Sequence, residues 1–453
     1  MMPTIHYIYY ISYHGLHDVA TPLASIDNPC YSCYSWWRRM CVAMCLIACM
    51  PLGAVAQVQV PEVPGVKLAE NRLDFPGSHG RFDSLLNCLR DGTKPLNILH
   101  IGGSHVQAGI FPHRMRERIG AARGLLFPWK AIRTNAPTDY SLTPSGSWER
   151  SRCLEPSPTE QLGMSGAAAI TSDSLASLRL ELPAKYAFRR LHVIGKAEGE
   201  AVPYLISRQG DTLMAERQGD DFRFSLKQPD SLCTIAFRGM DGSGRFVLRG
   251  IYPETEQRII YSESGVNGAS VPSWLRCKLL AEELRQLCPP DLVIFGIGIN
   301  DANVPPSHFD AEAFKDAYRS LMDELRKANP KVCFLFITNN DCFLRVGRQR
   351  RTLNRNTQKV EQAMMELAGE CDGAVWNQFR IMGGYGSSNR WVQAHLMNRD
   401  HIHFLRPGYE LLADLLFEAM SEHSEYSEYS EYSEFSNHSD HSEFSENSHA
   451  FGL

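Results

Sequence analysis

Four short stretches of the 453-residue chain carry side chains able to make and break an acyl bond. In "LNILHIGGSHVQAG", residues 96–109, an apolar run ends on two glycines, Ser104 and His105. A serine hydroxyl is a poor nucleophile at neutral pH and needs a base within hydrogen-bond reach, itself oriented by a third group. "NRDHIHFLRPGYELLADLL" offers both, with His403 as the base and Asp400 one short turn earlier to fix its tautomer. His401 follows Asp400 directly and is expected to project elsewhere. A tetrahedral oxyanion also needs preorganised donors. Gly268 in "SGVNGAS" can give a backbone N–H, Asn300 in "VIFGIGIND" a carboxamide N–H, and Ser104 its own N–H. Each stretch alone has a plainer reading. Ser104 can be the N-cap of a helix, Asp-x-x-His is common by chance, and glycine or asparagine after a strand is ordinary turn chemistry. The set in this order points to nucleophilic catalysis.

The elements that must position these residues are legible in outline. Residues 96–140 read as strand, turn and an amphipathic helix through "VQAGIFPHRMRERIG". "DLVIFGIGIND" and "KVCFLFITNND" are near-continuous apolar runs, as expected of parallel strands buried on both faces. Helical patterns lie between and after them in "AEAFKDAYRSLMDELRKAN", "TLNRNTQKVEQAMMELAG" and "PGYELLADLLFEAM". From about Arg150 to Pro253 short alternating runs such as "SLRLELP" and "CTIAFRG" recur between Gly, Asp and Pro, which reads as an antiparallel β-sandwich. An α/β domain interrupted by a β-rich insertion fits this order better than two domains in series. The expected boundaries are 1–56 for an upstream extension and signal peptide and 57–92 for an N-terminal segment. The α/β domain then takes 93–149 and 257–420, the insertion 150–256, and the tail 421–453.

The four blocks resemble those of the SGNH (GDSL-like) hydrolases, which are headed by Ser, Gly, Asn and His. Ser104, Gly268 and Asn300 match the first three, and Asp400 with His403 the fourth. The resemblance covers residues 96–140 and 257–420. It implies a flavodoxin-like three-layer α/β fold with a parallel sheet, interrupted by the β-sandwich insertion, and a serine esterase that uses no metal and no organic cofactor. One departure is plain: the Asp usual before the nucleophile is Gly103 here, which puts the local turn in question more than the chemistry. The α/β-hydrolase elbow G-x-S-x-G is absent, with Val106 where its second glycine would stand. An SGNH domain split after its first block looks like the bacterial peptidoglycan O-acetylesterases, whose insertion resembles a carbohydrate-binding module. An acetylated glycan, foremost peptidoglycan, is the implied substrate. Xylan, an acyltransferase reaction and an inactive glycan-binding protein are the alternatives. Trp129 and Trp148 could stack on a sugar ring and Asn135 could bond its hydroxyls, or the tryptophans could be core packing.

The bulk numbers are those of an ordinary globular protein: 43% hydrophobic, 21% charged, formal net charge −5. No basic stripe with interleaved aromatics points to nucleic acid, and a monomer is expected. "WWRRMCVAMCLIACMPLGAVAQ" has the basic pair, apolar run and small-x-small ending of a secretory signal peptide around residues 38–56, implying a secreted or periplasmic protein. "LIAC", ending at Cys49, also resembles a lipoprotein box, the one route to a membrane anchor. Of 13 cysteines, Cys30, Cys33, Cys41, Cys45 and Cys49 fall in the part expected to be removed. The others are scattered with no Cys-x-x-Cys, so no zinc or thioredoxin signature survives. The Ser/Glu/Tyr triplets from Ser421 are too polar to bury a core and read as a disordered tail.

Overall fold

Seven strands build the central sheet in this computed structural model, which describes residues 65–439 except 241, 243 and 347–349. The signal-peptide stretch and Cys49 lie outside the described residues. Along the chain the strands are β1 (Leu73–Asp74), β2 (Leu96–Gly102), β3 (Ala122–Arg123), β4 (Ile259–Gly265), β5 (Leu292–Gly296), β6 (Cys333–Ile337) and β7 (Ala374–Trp376). Their spatial order is β1-β7-β6-β5-β2-β4-β3. Every neighbouring pair is parallel except β1 with β7. Ignoring the edge strands, the order is that of a flavodoxin-like sheet. The chain steps from β2 to one side, then crosses to the other at β5. Ligands of such sheets bind at this switch point, beyond the carboxyl ends of the strands.

The apolar runs account for the layers. Along β2, Leu99 and Ile101 face one hydrophobic cluster, while Leu96 and Ile98 face another. Val293 and Phe295 of β5 alternate with Leu292 and Ile294 in the same way. The first cluster is closed by the helices Leu280–Leu287, Ala311–Arg326 and Asn356–Cys371, the second by Gly80–Asp91, Ile110–Ile119 and the last helix. Two departures from the sequence reading concern helices. The pattern through "VQAGIFPHRMRERIG" is two helices, Ser104–Gln107 and Ile110–Ile119, separated where Gly109 takes a φ of +72°. The last helix, Arg406–Ser439, keeps a helical backbone past Ser421, where an unstructured tail was expected. No Gly or Pro interrupts residues 409–439, and Glu is a good helix former. No helix among the described residues is long and apolar enough to cross a membrane.

Between β3 and β4 the chain forms two antiparallel sheets. One has five strands, from Thr212–Met214 at one edge to Ser141–Ser145 at the other; the second has six, from Glu216–Gln218 to Glu149–Arg152. They share a core that includes Leu178, Leu180, Phe222, Phe224, Ile235 and Phe246. The sheets begin at Ser141, earlier than the expected boundary at 150, because Ser141–Ser145 pairs with Ser177–Glu181. They are also packed firmly on the α/β layers. Leu162, Met164 and Ala167–Ile170 sit in one cluster with Trp274 and Leu280. Leu279 N–H donates to Leu162 O at 2.9 Å, and Arg249 pairs with Glu283 at 2.6 Å.

Candidate active site

Ser104 opens the helix that follows β2, and the N-cap position belongs to Gly103, so the serine is not a cap. Its hydroxyl is turned to His403, with Oγ 2.7 Å from Nε2. On the far side of the ring, Nδ1 lies 2.8 Å from Asp400 Oδ2. The other oxygen, Oδ1, accepts the backbone N–H groups of Ile402 (2.9 Å) and His403 (3.0 Å). Residues 299 positions apart in sequence thus form a Ser–His–Asp relay. His401 does not join it. It takes a φ of +63°, and its ring packs on Phe343 at 4.9 Å.

The oxyanion donors come to the same place. Gly268 adopts a φ of +82°, a left-handed conformation that a side chain would strain. Neither its N–H nor that of Ser104 donates a hydrogen bond among the described residues. Asn300 Nδ2 donates to Ala269 O at 2.9 Å, which leaves its second N–H free and ties it to the residue after Gly268. A Cβ at Gly103 would meet Asn300 Nδ2 at 3.3 Å and Ala269 O at 3.4 Å. The departure from the usual Asp therefore leaves this turn close-packed against the donors.

Electrostatics sort the titratable groups by task. Burial alone would raise the Asp400 carboxyl, but the His403 ring N–H and two backbone N–H groups hold it well below the usual carboxylate range. It is ionised at neutral pH, as a group that orients a histidine must be. His105, directly after the nucleophile, lies beside His403 with ring centroids 5.4 Å apart. Burial, then the charge of His403, lower His105 to about 3, so it stays neutral. Its Nδ1 meets Tyr409 OH at 3.0 Å, and the ring lines a small cavity of about 40 Å³ with His100 and Asn339. Burial pushes Asp301 up to about 6, although both its oxygens accept the Val271 N–H.

Of the three residues read as candidate sugar contacts, Trp129 is corrected. Trp129 is 6% exposed and packs on Phe127 within the core. Burial of both faces leaves nothing to stack on a sugar. Asn135 is exposed, but its carboxamide oxygen is engaged by Asn267 and by Gln107. Gln107 in turn accepts the Asn267 N–H at 2.6 Å. This set holds the loop that presents Gly268, which makes Asn135 a positioning residue for that loop. Trp148 is half-buried, donates to Ser145 O, and lines a surface recess with Arg133, Thr171, Asp173 and Arg245. Sequence reasoning missed Gln107, Asn267 and Asp301, because their roles depend on partners distant in the chain. His105 carried a signal in its place next to Ser104.

Residues 242–411 match the model of the GDSL-like lipase/acylhydrolase family. This segment belongs to that family. Gly268, Asn300, Asp400 and His403 lie inside the match, and the fold adds Ser104 from upstream. The acylhydrolase is accordingly a carboxylic ester hydrolase. No curated protein matches the sequence. Among solved structures, a peptidoglycan O-acetylesterase is similar, with 20% identity and a TM-score of 0.64, over 78% of this chain and 99% of that one. At that identity the likeness is one of fold, and it is long enough to take in the antiparallel sheets. An acetyl xylan esterase matches with 18% identity and a TM-score of 0.28, over 36% of this chain and 81% of that one. A GDSL-like lipase from Bacteroides thetaiotaomicron matches with 15% identity and a TM-score of 0.27, over 36% and 76%.

Proposed function

We propose that this acylhydrolase is an exported esterase that removes O-acetyl groups from peptidoglycan. The observation that carries the reading is the Ser104–His403–Asp400 relay, with Oγ to Nε2 at 2.7 Å and Nδ1 to Oδ2 at 2.8 Å. Ser104 Oγ attacks the ester carbonyl while His403 Nε2 takes its proton. Charge collects on the carbonyl oxygen, facing the N–H groups of Ser104 and Gly268 and the free N–H of Asn300. Collapse expels the sugar hydroxyl, which takes the proton from His403. Water, activated by the same imidazole, then hydrolyses the acetyl-serine and frees acetate. Asp400 keeps the ring oriented and stabilises its charged form.

Support for the glycan is the fold shared with a peptidoglycan O-acetylesterase across most of both chains. The two-sheet insertion is read as a β-sandwich of carbohydrate-binding type. Export follows from the signal-peptide pattern at residues 38–56, with a lipid anchor at Cys49 as the variant of that reading. The test is acetate release by the purified protein from O-acetylated peptidoglycan and from acetylated xylan at matched ester concentration. A kcat/KM at least tenfold higher on peptidoglycan is expected. Preference for xylan would move the substrate to plant polysaccharide, and no release from either, with 4-nitrophenyl acetate still cleaved, would remove the glycan from the reading.

A further inference from the structure

Halfway along the last helix, three side chains converge where that helix meets the start of Gly80–Asp91. Asp83 Oδ2 lies 2.7 Å from His79 Nδ1, and Asp83 Oδ1 lies 2.7 Å from His423 Nε2. One such atom from each residue lies within 4.8 Å of the other two. Phe75 braces both imidazoles, stacked on His423 at 4.3 Å and 29° and set 5.4 Å from His79. Phe82, fully buried, packs against Phe75 from behind. The rings are therefore aimed at the carboxylate by packing as well as by hydrogen bonding.

We propose that His79, Asp83 and His423 bind one divalent transition-metal ion of the Zn²⁺ type, which fastens the last helix to the first. Two imidazole nitrogens and one carboxylate oxygen form a donor set that Zn²⁺ takes at about 2.0–2.2 Å, with a water in the fourth position. Ca²⁺ and Mg²⁺ prefer more oxygens than this cluster offers. Tetrahedral ligands at those bond lengths stand about 3.4 Å from one another, so closure needs side-chain movements on the scale of an ångström. His79 and Asp83, four residues apart, share one side of the helix start. His79 is 52% exposed, which gives the ion a way in and room for the water. On binding, each neutral imidazole coordinates through the nitrogen that faces Asp83 and carries its single proton on the other, Nε2 for His79 and Nδ1 for His423. The ion would link residues 340 positions apart. It lies outside the Ser104 relay and takes no part in ester cleavage.

The test strips the full-length protein with EDTA and titrates it with Zn²⁺ by calorimetry, and with Co²⁺ by absorption spectroscopy. His438, His441 and His449 in the tail are changed to Ala in the starting protein, so that they cannot supply the signal. One equivalent should bind, and the melting midpoint should rise by several degrees at about 100 times Kd. Asp83→Asn and His423→Gln should each weaken binding at least tenfold, with the rate on 4-nitrophenyl acetate unchanged. His79→Ala, at the most exposed ligand, gives the same reading should either of those fold poorly. Absence of saturable binding would overturn the proposal, as would unchanged affinity in the variants. A Co²⁺ spectrum with a sulfur-to-metal charge-transfer band would also overturn it, by placing the ion on cysteine.

Discussion

Asp400 divides its carboxylate between two tasks, one oxygen on the His403 ring and the other on the backbone N–H groups that shape the turn. That economy is why Asp-x-x-His was legible from sequence: the short turn alone brings the two side chains together. Ser104 was legible for a different reason, because a small polar residue at the carboxyl end of a buried strand sits where such sheets react. Trp129 was not, since residue type does not say which faces a fold will cover. Ser104→Ala should reduce turnover of 4-nitrophenyl acetate by roughly 10³-fold or more while the melting transition is kept. Retention of a tenth of the activity would show that another group is the nucleophile. His403→Ala should be nearly as damaging, whereas His401→Ala, which loses only a ring packed on Phe343, should keep activity within a few fold. Measured side by side, a larger loss from His401→Ala would reverse the assignment of the base.

The loop that presents Gly268 is held from two sides. Gln107 and Asn135 grip Asn267 just before it, and Asp301 accepts the Val271 N–H just after it. The strands that lead into this loop and into Asn300 were readable as apolar runs. The clamp was not, because it joins residues 30 to 160 positions apart. Asp301 gives the clamp a pH signature. Its folded pKa is raised from an ordinary 3.8 to about 6, chiefly by burial. The folded state therefore binds the extra proton, so this contribution to stability is full below about 3.9 and is lost as pH rises through about 6. Asp301→Asn keeps an oxygen to accept the Val271 N–H and cannot ionise. The unfolding free energy of the variant relative to the native chain should thus climb by roughly 1–3 kcal/mol between pH 4 and pH 7. Urea melts across that range test it, and a constant difference would mean that Asp301 is already ionised without penalty in the fold.

At the scale of the whole molecule, the antiparallel sheets and the α/β layers share a hydrophobic cluster. Replacing the sheets with a linker would uncover Trp274 and Leu280, so their role has to be tested on their surface. The alternating runs of the insertion foretold its strands, but no periodicity could foretell which of them would seal the hydrolase core. The recess lined by Trp148, Arg133, Thr171 and Asp173 is the place to look. Arg133 directly precedes Thr134 and Asn135, which meet Gln107 and Asn267 beside Gly268, so the recess lies along the chain that leads to the oxyanion donors. A polymer reaching both places can use contacts far from the ester to orient it, whereas a small acetyl ester gains nothing from them. An aromatic contact is worth about 1 kcal/mol beyond its buried area. Trp148→Ala should therefore lower kcat/KM on insoluble O-acetylated peptidoglycan by about 5–10-fold and leave the rate on 4-nitrophenyl acetate within a factor of two. Because Trp148 also touches Phe237, Trp148→Leu, which keeps apolar bulk against that ring, separates lost packing from lost stacking. Equal losses on both substrates in a cooperatively folded Trp148→Leu protein would mean that this surface supports the catalytic relay and does not select the glycan.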